Sequence, residues 1–124
     1  MQLKGWSLVC LLVLLLAFTS VPASAQLEDD TLVGVIDFHC HSGPDSRPRS
    51  VTDIEIARLA RRAGMRGLVF KNHFTMTADR AVLAERVTGQ RCYGGIVLNR
   101  AVGGLNPEAI RRMVTFTGNR AKVV

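Results

Sequence analysis

The chain reads as an α/β protein: about three and a half β-α units with parallel strands, laid out as part of a TIM-like (β/α) barrel. Three observations predict this. Near-continuous apolar runs alternate with amphipathic, capped helical segments, the pattern of a parallel sheet with right-handed crossovers. The spacing is that of one β-α unit per interval, with 32 residues from His41 to His73 and 26 from His73 to Asn99. Each strand also ends in residues of ligand type, and in (β/α) barrels the carboxyl rim is where chemistry is built.

The first 25 residues stand apart from the fold. Lys4 and the amino terminus give a weakly positive start, Trp6 to Phe18 is an apolar run of 13 residues, and Pro22 precedes Ala23-Ser24-Ala25. The small-x-small triplet after a short apolar run reads as a cleaved secretory signal. The run is shorter than the ~20 residues a membrane span needs. An uncleaved anchor is the alternative. No twin arginine precedes the run, which favours the general export route. Export, to a periplasm or the medium, is therefore expected, with residues 26–32 as a linker and 33–124 as the domain.

The first strand is expected over Val33–His41. Pro44 and Pro48 punctuate the loop after it. Thr52-x-x-Glu55 is a capping box that opens a helix, with Ile56, Leu59, Ala60 and Ala63 on one face and Arg58, Arg61 and Arg62 on the other. Gly64 ends that helix as a left-handed cap. The second strand is expected over Arg66–His73, around Leu68-Val69-Phe70. Thr77 is expected to cap a second helix, from about Ala78 to Val87, closed by Gly89. The third strand is expected over Arg91–Asn99. Asn106 caps a third helix with Pro107 at its first position, and Ile110, Met113 and Val114 form its apolar stripe. Gly118 stops it, and Ala121–Val124 begins a fourth strand. A dinucleotide-binding sheet is disfavoured, because Ser42-Gly43-Pro44-Asp45 after strand one lacks the glycine fingerprint.

A full barrel has eight such units and ~250 residues, whereas this chain ends on Val123-Val124 in what reads as the middle of a strand. A truncated barrel, the amino-terminal half of one, is the expectation. A half-barrel pairing with another chain is an alternative.

Without Lys4 the chain keeps 15 basic against 10 acidic residues, a net charge of about +5. The arginines are scattered over helical positions, with no basic run of five. Only two phenylalanines and one tyrosine lie between Lys71 and Val124. Nucleic acid is therefore not an expected partner. Cys10 leaves with the signal. Cys40 and Cys92 fall on strands that an intervening strand would separate by about 10 Å, too far for a disulfide, so two buried thiols are expected.

Side chains alternate along a strand, so Asp37, His39 and His41 share one face and Ile36, Phe38 and Cys40 the other. Two imidazoles two residues apart suit one divalent cation. The plain alternative is two surface histidines near a strand end. His73, at the end of the next strand, supplies a third donor, which is the usual ligand number of a catalytic zinc-type site. Asp37 is a candidate to orient a ring, or an acid bonded to backbone. Lys71 shares a face with His73 and could stabilise negative charge, or stand as a solvated lysine. Asn99 is a candidate donor to a substrate oxygen. Gly103-Gly104 is a weaker candidate anion cradle, a plain tight connection being the simpler reading. Asp45 and Arg47, in the first loop, are further candidates for the rim.

These residues carry a resemblance. Asp37-Phe38-His39-Cys40-His41-Ser42, the helix from Glu55 to Gly64 and the strand Gly67 to His73 resemble the opening of the polymerase-and-histidinol-phosphatase (PHP) metallohydrolases. That opening reads D-x-H-x-H-[ST], a helix ending A-x-x-x-G, then a strand ending T-D-H. The run from Lys71 through Gly94–Asn106 is similar to an uncharacterised amidohydrolase-like family, itself similar to the PHP and amidohydrolase barrels. The resemblance covers about Val33 to Val124. It implies His39 and His41 as metal ligands and His73 as a ligand or near neighbour of the metal. The cofactor is a divalent ion such as Zn, Mn or Fe. The reaction implied is attack of metal-bound hydroxide on an amide, lactone or phosphoester of a small-molecule substrate. Lys71-Asn72 stands where the family has T-D. The carbamylated lysine of amidohydrolases comes from a later strand, so Lys71 does not inherit that role. The ligands of later strands have no counterpart here. Two other readings remain open: a non-catalytic metal-binding or interaction module, including an inactive remnant, and a homo-oligomer that completes the rim in trans. Stable membrane association after signal cleavage is not expected.

Overall fold

The capping box at Thr52 is present in the computed structural model, which describes residues 30–124. The Thr52 hydroxyl accepts from the Glu55 amide, and Glu55 Oε2 accepts from the Thr52 amide at 2.7 Å. Two of the donors that a helix start leaves open are thus satisfied. Helix α1 follows as Asp53–Arg62, burying Ala57 and Ala60 while Arg58, Arg61 and Arg62 face solvent. Gly64, at φ +68°, turns the chain into the next strand. The segment 1–25, expected to be a signal, lies with Cys10 outside the described residues.

Four strands form one sheet: β1 (Ile36–Cys40), β2 (Gly67–Phe70), β3 (Cys92–Gly95) and β4 (Ala121–Val123). Every neighbouring pair is parallel and the order is β1-β2-β3-β4. Helix α2 (Ala78–Thr88) connects β2 to β3, and α3 (Pro107–Val114) connects β3 to β4. The order runs in one direction with no reversal, so these strands contain no doubly wound switch point. Among the described residues no helix is long and apolar enough to cross a membrane.

The core lies between the sheet and the first two helices. Cys40, Leu68, Phe70 and Cys92 from three strands meet Ala57 and Ala60 of α1 and Ala81 and Ala84 of α2. Alanines on the helix faces bring the backbones close to the sheet. The tightest approach is at Gly94, where a Cβ would fall 2.3 Å from the Thr77 carbonyl. Cys40 and Cys92 are buried free thiols with β2 between them, as the strand order requires. Burial pushes their pKa values up to about 11 and about 12. Such thiols are poor nucleophiles.

The ladders are shorter than the apolar runs suggest. Residues 71–73 and 96–99, expected within strands, lie beyond them. At the end of β2 the cause is Asn72, whose Oδ1 accepts from the Phe74 and Thr75 amides and turns the chain out of the sheet. Thr77 occupies the N-cap position of α2 but does not cap it. Its buried hydroxyl instead donates to the Phe70 carbonyl (2.7 Å) and accepts from the Gly95 amide (2.9 Å), joining the ends of β2 and β3. A 3-10 turn at Arg100–Val102 was not expected from the sequence. Gly103 and Gly104 close it in left-handed conformations, their amides donating to the Arg100 and Asn99 carbonyls. Those amides are therefore not free to cradle an anion, and the pair is a tight connection.

Candidate metal centre

The first strand is bulged at its first histidine, between Asp37 and Cys40. Asp37 pairs with Leu68 and Cys40 with Phe70, so β1 carries one residue more than β2 over this stretch. A bulge re-aims side chains beside it. The simple alternation fails here: Cys40 is buried beside Phe70, while Phe38, two residues earlier, is 65% exposed. The Asp37 carboxylate closes the bulge by accepting from the His39 backbone amide at 2.8 Å. Asp37 therefore fixes the His39 backbone and is not bonded to an imidazole.

His39 and His41 still converge. Their Nε2 atoms are 3.2 Å apart and their ring centroids 5.0 Å apart. His73, delivered by the exit of β2, lies with its ring over that of His41 at 4.7 Å and an interplanar angle of 23°. The three imidazoles named from sequence thus gather at one place on the rim.

Two polar networks hold the β1 exit. Ser42, next to His41, donates to Asp53 Oδ1 at 2.5 Å. Arg80 of α2 grips both Asp53 oxygens, at 2.6 and 2.8 Å, and donates to the Ser42 carbonyl. This ion pair is nearly buried and ties β1, α1 and α2 together. The second network runs through the first loop. Asp45 binds Arg49 at 2.6 Å, and Arg49 Nη2 lies 3.5 Å from His41 Nδ1. Burial opposes charge on Asp45, but the Arg49 guanidinium and the Ser46 amide overcome it and hold the carboxyl at about 2. His41 is pushed below its ordinary pKa, first by burial and then by the positive charge of Arg49 and its neighbouring histidines. That favours the neutral imidazole, the form that ligates. Arg49, Asp53 and Arg80 were not singled out as site residues from the sequence. The serine of the D-x-H-x-H-[ST] pattern was the available signal for Asp53 and Arg80, since a hydroxyl that is buried needs a partner. Arg47 is exposed.

The histidines open onto a cleft of about 430 Å³, lined also by Lys71, Asn99, Ile96–Leu98 and Leu105. Lys71 is half-buried, and no carboxylate among the described residues pairs with its ammonium. Asn99 donates through Nδ2 to the His73 carbonyl at 2.5 Å. The amide of Asn99 is thereby held in place, and its Oδ1 is buried without a hydrogen-bond partner. Its free atom is an acceptor, not the donor expected from sequence.

Whether these residues fit a cation can be tested from distances. Two nitrogens each about 2.0–2.1 Å from one ion, at an angle of about 100°, are about 3.2 Å apart. The His39–His41 separation matches that chord. Rings sharing such an ion have centroids about 5 Å apart, close to both values here. Among the described residues, no three His, Cys, Asp or Glu side chains stand as a ready-made cage. The His39–His41 pair fits, and His73 must turn from its stacked position to join it.

No curated protein and no solved structure matches the chain. A family model described as a family of unknown function (DUF6282) matches residues 34–124, which takes in both strand-end histidine segments and the Asn99 loop, and the chain belongs to that family.

Proposed function

We propose that the chain carries the first part of the active rim of a metal-dependent hydrolase of the amidohydrolase/PHP kind, on a partial (β/α) barrel. The single observation that supports it most is the 3.2 Å approach of His39 Nε2 to His41 Nε2, with the His73 ring against them. A divalent cation held there, Zn, Mn or Fe, supplies a Lewis acid and an acidified water. The other roles belong to this chain's own residues. Asp37 sets the His39 backbone. Lys71 offers positive charge to an oxygen that becomes negative. Asn99 fixes the His73 carbonyl and keeps a buried acceptor without a partner beside the cleft. The one-way parallel order β1-β2-β3-β4 supports the barrel. The apolar segment 6–18 with Ala23-Ser24-Ala25 supports export through a cleaved signal.

The test is elemental analysis of the purified chain beside a His39→Ala, His41→Ala variant, with hydrolysis of generic esters and phosphoesters. The expected result is stoichiometric metal that the double substitution abolishes. Metal retained by the variant rejects the site. One observation favours a second reading, a metal-binding module without catalysis: among the described residues no Asp or Glu lines the cleft. Stoichiometric metal with no turnover of any ester, amide or phosphoester decides for that reading.

A further inference from the structure

We infer that the cleft beside the histidines binds a small apolar molecule carrying one negative charge and one N–H or O–H donor. This names the ligand class of the proposed hydrolase and leans on that reading only for the reaction, not for the binding. Three features define the ligand.

The charge comes from Lys71. Lys71 lines a cleft that has no Asp or Glu among the described residues, and it forms no ion pair with any of them, Val124 of the lining included. A half-buried cation in that setting is completed by an anion. Arg49, which faces His41, is already paired with Asp45. Lys71 is the one Lys or Arg among the described residues of the lining, and before any metal is counted that single charge matches a monoanion and disfavours amines.

The donor comes from Asn99. Its amide cannot flip, because Nδ2 is engaged by the His73 carbonyl and a flip would set two oxygens face to face. Oδ1 is left buried and unpartnered, the only such side-chain atom among the described residues. A buried acceptor that lacks a partner is unfavourable, and a ligand N–H or O–H removes the deficit.

The apolar body comes from Ile96, Val97 and Leu98, which follow β3 and line the cleft, and from Leu105. Leu105 is 89% exposed although it sits beside the cleft. At about 430 Å³ the space suits a metabolite-sized ligand, not a polymer.

Four probes separate these features: N-acetylleucine, its neutral amide, 4-methylpentanoate (charge without donor) and leucinamide (a cation). Each is titrated by calorimetry into the full chain, with and without zinc, and into Lys71→Met. N-acetylleucine is expected to bind about tenfold or more tightly than its neutral amide and than 4-methylpentanoate, with leucinamide weakest. Lys71→Met is expected to erase the acid-over-amide preference while leaving zinc content and the donor preference unchanged. Equal binding of acid and amide, preference for the cation, no binding of any probe, or an acid preference that survives Lys71→Met overturns the inference. The comparisons on the unsubstituted chain decide it even if Lys71→Met does not fold. An acid preference in a chain that takes up no zinc leaves the inference standing and removes the metal reading. Stoichiometric zinc without an acid preference does the reverse.

Discussion

Arg49 decides what His41 can do. With the guanidinium donating to Nδ1, the ring proton sits on Nε2 and points at His39, which gives a hydrogen-bonded chain without metal. Ligation through Nε2 moves that proton to Nδ1, where it faces a donor and a positive charge. Metal ligands normally hand this proton to an acceptor, and such partners change affinity by 10–100-fold. Arg49→Gln supplies an acceptor and removes the charge, so it is expected to tighten zinc binding about tenfold. Competition against a chromogenic chelator measures this, and unchanged or weaker affinity counts against Nε2 ligation. Asp45 keeps Arg49 in place over a defined pH range. Its carboxyl is lowered from 3.8 to about 2 in the folded chain, so its contribution is fully present above 3.8 and is lost as the pH falls through about 2. The Arg49 Nε–H and Ser46 amide resonances should shift together with a midpoint near the lower value. A midpoint near 3.8 would mean that the carboxyl is not engaged by Arg49.

At the scale of elements, the link that positions the β1 exit is the Asp53–Arg80 pair. It joins the first turn of α1 to the first turn of α2 across Ser42. Removing one partner leaves the other charge nearly buried and unpaired, so Arg80→Met is expected to cost about 3 kcal/mol in urea unfolding. Loss below about 1 kcal/mol would show that water already solvates Asp53. The helices themselves were legible because their signals are local: the Thr52–Glu55 box and Asn106-Pro107 act within four residues, and both cap as expected. Thr77 has the sequence of a cap and a different job, because the exits of β2 and β3 compete for its hydroxyl. Strand ends were overextended for a similar reason. Val97 and Leu98 look like strand residues, yet the ladder stops at Gly95. The gathering of His39, His41 and His73 could be read from strand-end position alone. Ser42 hinted at a partner, but the Asp53–Arg80 link itself joins segments up to 38 residues apart, and Arg49 acts through a loop whose geometry the sequence does not give. The bulge at Phe38–His39 was equally hidden, because a register slip is a property of two strands and leaves no mark on one.

At the scale of the molecule, the sheet of the described residues runs from β1 to β4, and among those residues neither outer edge is covered by another strand. Parallel sheets are ordinarily closed or covered, and an open edge pairs with whatever strand it meets. The β1 side also presents apolar surface. Val35 is 39% exposed and Phe38 65% exposed, and the bulge at Phe38–His39 disturbs its register. A formal charge of +6 opposes association of copies, but that repulsion is screened within about 8 Å at physiological ionic strength, while edge pairing acts at contact. Self-association is therefore expected to be reversible and to strengthen as salt is raised. Sedimentation velocity over a hundredfold range of concentration, at low and at physiological salt, measures it. Phe38→Lys places a charge on the exposed edge without touching the core residues Cys40, Leu68 and Phe70, so it should return the chain to monomer while leaving its unfolding midpoint nearly unchanged. A wild-type chain that stays monomeric throughout, or a Phe38→Lys chain that associates as strongly as the parent, would place the sticky surface elsewhere.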